Sequence, residues 1–338
     1  MWNKGIKIMA CFILTWAISA CSLNGENSNS GKIPINKGKF GVIYTNAVEP
    51  KSKLLIVDES GDIISNVNIK AARIRKIEEA KNGGWVLPAS YDDVIHYINE
   101  KGEISNRKAP GPTNFVKKDS AFEIAAYNTE AFQNTLIVKE EKKQWKVKQK
   151  GYMGEGVYDD QYIYIYADIP YEDKSVPPDQ HHVVYMIKRD TGKLIKKIPL
   201  KEKSARDMKW FKKKLLLTTE NRLTLIDPKK SKADYLPTPT VVGEPMTIVK
   251  EDNKFYVTFF GGSVVEYDDH FNIVRHKRLC DVILNDHADE QNLYLFGQMP
   301  SGAGQIHVVD KKTWKVKEKI NLPDVGYNIM AQDFTLID

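Results

Sequence analysis

One pattern recurs seven times between Phe40 and the end of this 338-residue chain, and it restricts the fold more than any single motif does. Each copy has a short β-branched or aromatic strand, a turn, a second apolar strand that runs into a polar turn, and then a basic strand. The second strands begin at Leu54, Val94, Thr135, Val183, Arg222, Ser263 and Gln305, so successive copies lie 40, 41, 48, 39, 41 and 42 residues apart. A four-stranded sheet of about 40 residues buries its two faces only against neighbours, and a ring of such sheets gives every member two. A β-sandwich has no reason to repeat in this way. The expected fold is all-β, a single seven-bladed β-propeller over residues 40–338.

The strand ahead of each aligned one occupies residues 41–45, 85–89, 123–127, 162–167, 215–219, 255–259 and 293–297, bounded by turn-forming residues. A weaker strand precedes six of these, and the first copy lacks one. Residues 327–338 supply a strand with no blade of their own. They are expected to become the missing innermost strand of the first blade, pairing the two ends of the chain and removing an exposed sheet edge.

The first forty residues follow another logic. Lys4 and Lys7 precede an apolar run from Ile8 to Ile18, and Ser19-Ala20-Cys21 follows. That run is too short for a stable membrane span and suits the core of a cleaved signal peptide. Residues 1–20 are thus expected to be removed. Residues 21–39, polar and glycine-rich at first, read as a flexible tether of about 20–25 Å typical reach. Cys11 leaves with the signal, so of three cysteines only Cys21 and Cys280 remain. With Cys21 claimed by lipid, no intramolecular disulfide is available and stability must come from packing. Apolar residues make up 42% of the chain, enough to fill a core.

Ile18-Ser19-Ala20-Cys21 resembles the lipobox of bacterial lipoproteins. The resemblance implies cleavage before Cys21, attachment of diacylglycerol to its thiol, and fatty acids such as palmitate holding the protein at the outer side of the cell membrane. Loss of Lys4 and Lys7 lowers the net charge from +6 to about +4. The lysines are dispersed and lack interleaved aromatic residues, which argues against a nucleic-acid platform.

Phe255-Tyr256-Val257-Thr258 followed by Val264-Val265-Glu266-Tyr267-Asp268 resembles the YVTN family of propeller repeats, as do Val308-Val309-Asp310-Lys311-Lys312-Thr313 and Lys315-Val316. The resemblance implies propeller architecture and a lactonase-like hydrolase as one alternative; the wider propeller class adds quinone-dependent dehydrogenases. The chain departs from the family in lacking regular asparagine-glycine turns.

In a propeller, the outer-to-inner connections and the second-to-third strand loops share one end, around the mouth of the central channel. The expected starts of the inner strands place Arg73, Asn114, Glu155, Arg206, Glu244, Asp281 and Tyr327 there. These residues read either as a binding mouth for a small charged ligand or a partner's loop, or as groups that line a wetted channel and satisfy one another. The longest repeat owes its length to residues 168–180 at the same end, followed by His181 and His182. Asp168, Glu172, Asp173 and Asp179 lie near them in sequence, but adjacent strand histidines point to opposite faces, so no metal is expected. Asn285-Asp286-His287 reads as a solvated turn at the opposite end, and Cys280 as a small buried residue.

No nucleophile elbow, zinc helix or nucleotide loop is present, and no cofactor is implied. The function expected is therefore a lipid-anchored, monomeric binding or scaffold propeller for an envelope protein or small ligand, with a propeller enzyme as the alternative.

Overall fold

In the computed structural model, residues 32–337 are described, apart from 81, 82, 142, 240–242 and 327. Among these residues, 28 strands form seven sheets, each of four antiparallel strands. In every sheet the chain steps outward strand by strand, then crosses to the innermost strand of the next. Antiparallel order puts the first and third turns of each blade at one end of the ring, termed lower. The second turn and the crossing to the next blade lie at the upper end.

Alternation along single strands explains the ring. Phe255 and Val257 pack into one apolar cluster with Phe211 and Leu216 of blade 5, whereas Tyr256 between them packs with Leu293 and Leu295 of blade 7. Leu215 and Leu217 likewise face blade 4, while Leu216 faces blade 6. A strand of period two buries both sides only when sheets stand on both sides. The core accordingly divides into seven clusters, one at each junction between adjacent blades.

The ring closes as the repeat requires. Met330–Leu336 is the innermost strand of blade 1, with Phe40 opposite Leu336, Val42 opposite Phe334 and Thr45 opposite Met330. Phe334 is fully buried, stacked on Phe296 of blade 7 at 5.5 Å between ring centres.

The lower turns between third and fourth strands share a conformational demand. Each holds a residue with positive φ: Gly61, Gly102, Glu141, Gly192, Ser231, Phe271 and Trp314. Gly102 also takes a close approach, since a Cβ there would lie 1.8 Å from the carbonyl oxygen of Ile33. The stretch 32–39, expected as the end of the tether, packs at this lower end. Ile33 is buried and its amide donates to the Gly102 carbonyl at 2.7 Å, Lys32 bridges to Glu103, and Ile35–Lys37 form one 3-10 turn. The chain therefore enters the propeller from below. Among the described residues no helix is long and apolar enough to cross a membrane.

Candidate functional site

The upper end carries apolar side chains that the fold does not bury. Turns between second and third strands expose Val48, Tyr91, Phe132, Tyr171, Phe260 and Met299, one each from six blades, and Tyr152 and Met330 expose their side chains where inner strands begin. The other large exposed apolar residues, Ile63, Ile64, Ile195, Tyr235, Ile273 and Val274, lie on outermost strands. Among the described residues, the lower turns hold none. Scattered exposed apolar residues need no explanation, but here they collect in the loops of one end.

The insertion in blade 4 shows how one of these residues is held. Asp168 accepts from His182 Nδ1 at 2.7 Å and from the Tyr166 hydroxyl. That bond leaves Nε2 of a neutral His182 as an acceptor, 3.0 Å from the Tyr171 hydroxyl. His181 hydrogen-bonds the Ile169 carbonyl through Nδ1 and lies 4.5 Å from the Tyr171 ring centre. Lys150 pairs with Asp173 at 2.9 Å. Tyr171, 59% exposed, thus projects from a braced loop. Among the described residues, no group of three His, Cys, Asp or Glu side chains is arranged to hold a metal ion.

The residues expected at the mouth divide into three groups. Glu155, Arg206 and Glu244 come together: Lys76 pairs with Glu155 and donates to the Arg206 carbonyl at 3.3 Å, and the Arg206 guanidinium pairs with Glu244. Lys76 reaches across from blade 2 to blades 4 and 5 and so bars the upper mouth. Arg73 and Asn114 belong to the same end but bond locally, Arg73 over the Tyr91 ring at 4.5 Å and Asn114 donating to Asn134 at 2.6 Å. Asp281 is fully exposed and pairs with Arg278 at 3.2 Å, outside this network. Tyr327 and the lipid-attachment candidate Cys21 lie outside the described residues.

Below the bar, the channel widens to a cavity of about 560 Å³ lined by inner strands. Lys117 binds Glu78 at 2.8 Å, and Lys209 lies 3.2 Å from Asp207, whose other oxygen accepts from the Ile248 amide at 2.9 Å. Burial opposes ionisation of Glu78 and Asp207, but the surrounding lysines outweigh it and hold both below the usual carboxylate range.

Asn285-Asp286-His287 corrects the sequence reading. These residues form Asn285–Ala288, the inner strand of blade 7, and line the channel instead of making a solvated turn. Burial pushes Asp286 up to about 6 against the pull of the Thr247 and Thr258 hydroxyls. Burial likewise pushes Asp333 up to about 7, although it accepts from the Ile77 amide at 2.6 Å and from Asn285. Desolvation lowers His287, whose Nε2 donates to the Phe334 carbonyl at 2.8 Å. Cys280 is half-buried with its thiol raised to about 11 by burial, which leaves it protonated and inert at neutral pH.

These features define the chain as a seven-bladed β-propeller with a charge-filled channel beneath an apolar loop face. No family model matches it, and no curated protein does. Solved structures match it in fold. A functionally unknown protein from Desulfotomaculum acetoxidans DSM 771 is 10% identical with a TM-score of 0.61, over 88% of this chain and 99% of that one. Apo AztD from Citrobacter koseri is 13% identical at 0.54, over 88% and 98%. The dihydro-heme d1 dehydrogenase NirN, in complex with DHE, is 10% identical at 0.55, over 90% and 76%. Likeness at such identities extends to architecture and carries no activity to this chain.

Proposed function

We propose that this protein is a monomeric propeller, lipid-anchored through Cys21 on the extracytoplasmic side of the cell membrane, that uses its upper loop face to bind a protein partner in the envelope. The observation that carries this reading is the gathering of Val48, Tyr91, Phe132, Tyr171, Phe260 and Met299 at one end of the ring. Aromatic side chains supply large contact area for few frozen rotors, and loops on a rigid ring present it with little reorganisation.

Inside the channel the lysines are matched by carboxylates, Lys76 with Glu155, Lys117 with Glu78 and Lys209 with Asp207, so they are not free to meet a partner and the loop face carries the reading.

The test uses the full chain in its native membrane. Cys21→Ala should leave the precursor unprocessed or release the protein from the membrane, while a double substitution Tyr171→Ser and Phe260→Ser should abolish partner recovery with the melting temperature unchanged. Membrane retention of the Cys21→Ala protein would refute the anchor. Undiminished recovery by the double variant would refute the face.

A further inference from the structure

Among the described residues, two channel carboxylates, Asp286 and Asp333, have no cation paired with them. Lys76, Lys117 and Lys209 are taken by Glu155, Glu78 and Asp207, Lys118 lies 3.7 Å from Glu123, and Lys250 donates to the Trp210 carbonyl at 3.3 Å. Asp333 lacks a cation but is held by the amides of Ile77 and Phe334 and by Asn285. Asp286 is different. The residue is 7% exposed and lines the cavity, yet Oδ2 has no hydrogen-bond partner among the described residues. The Glu155 oxygen that shares this condition has Lys117 at 4.0 Å; Asp286 has no such cation.

We propose that Asp286 anchors a site within the channel for a primary ammonium group. A buried carboxylate oxygen with no donor calls for one that brings its own charge and hydrogens. Beside Asp286 stand the hydroxyls of Thr247 and Thr258, 2.6 Å apart, whose hydrogens favour the charged carboxyl while their oxygen lone pairs remain acceptors for an ammonium with three N–H donors. Multivalent metal is disfavoured because, among the described residues, no third Asp, Glu, His or Cys ligand converges there. The charged groups that act on Asp286 are Asp207 and Lys209 of blade 5, and His287 is its neighbour on the strand. Asp207 is already paired with Lys209, so Asp286 remains to attract the guest. A cavity of about 560 Å³ admits an alkyl amine of several carbons or the end of an inserted lysine side chain. This site is independent of the proposed docking face.

Titration calorimetry on the full chain in detergent at about pH 8, with butylamine and with the N-acetylated peptide Gly-Lys-Gly as probes, distinguishes the two sources of ammonium. Binding of butylamine alone assigns a free amine, and binding of the peptide assigns a side chain. In either case Asp286→Asn should weaken binding at least tenfold and Thr247→Val severalfold, with both variants melting cooperatively. Binding should also weaken on acidification through about pH 6, as the anchor takes up a proton. No heat from either probe at millimolar concentration, or equal binding by Asp286→Asn, would overturn the site.

Discussion

Asp286 shows how a single residue can hold a property the rest of the fold hides. Its ordinary value of 3.8 rises to about 6 because burial penalises the charged form more than two threonine hydroxyls favour it. A carboxyl raised in the folded state lends stability that is complete below its unfolded value and lost as pH climbs through the folded one. In guest-free protein, ionisation of Asp286 should therefore cost about 3 kcal/mol between about pH 4 and pH 6. Denaturant titrations at several pH values should show Asp286→Asn gaining on the parent over that interval by roughly this amount and keeping the gain above it. Parallel pH profiles of the two proteins would refute the assignment. Lys76 is the other residue that matters at this scale, since its amine ties Glu155 to the Arg206 carbonyl and so bridges blades 2, 4 and 5.

At the scale of elements, the closing strand Met330–Leu336 is the piece on which the ring depends. Deleting 326–338 strips blade 1 of its inner strand and bares the edge of Phe40–Thr45, so the product should aggregate or become protease-sensitive. The milder Phe334→Ala should cost about 3–5 kcal/mol, because the lost ring fills the junction of blades 1 and 7. A monomeric truncation as stable as the parent would refute closure. The middle strands were legible because burial on both faces writes alternating apolar residues into them, as in Phe255, Tyr256 and Val257. Inner strands were legible only in part, for they face the channel and carry a weaker pattern. Asn285–Ala288 is polar enough to pass for a turn, and Glu78–Ala80 has only three residues. The connection before the latter bends through Arg73 at positive φ, so counting along it lands on Arg73 and misses Lys76.

Over the whole molecule, the two ends of the ring differ in character. The lower end receives the chain at Lys32 and is made of tight turns, while the upper end gathers the exposed apolar loops. The long insertion at 168–180 marks that upper end in the sequence. Sequence reading looks there for charge, whereas the structure joins Glu155, Arg206 and Glu244 to one another and leaves aromatic and aliphatic residues free. Apolar residues in single loops cannot be recognised as a surface until the ring brings six loops together.

The central claim, that this face meets a protein partner, is tested most directly by photo-crosslinking in living cells. A crosslinking amino acid would replace Tyr91 or Phe260 above and Lys101 or Lys230 below, all exposed in the free protein. The account predicts one discrete crosslinked protein from both upper positions and none from the lower ones. The same protein captured from the lower positions, or lipid alone captured from the upper, would contradict it.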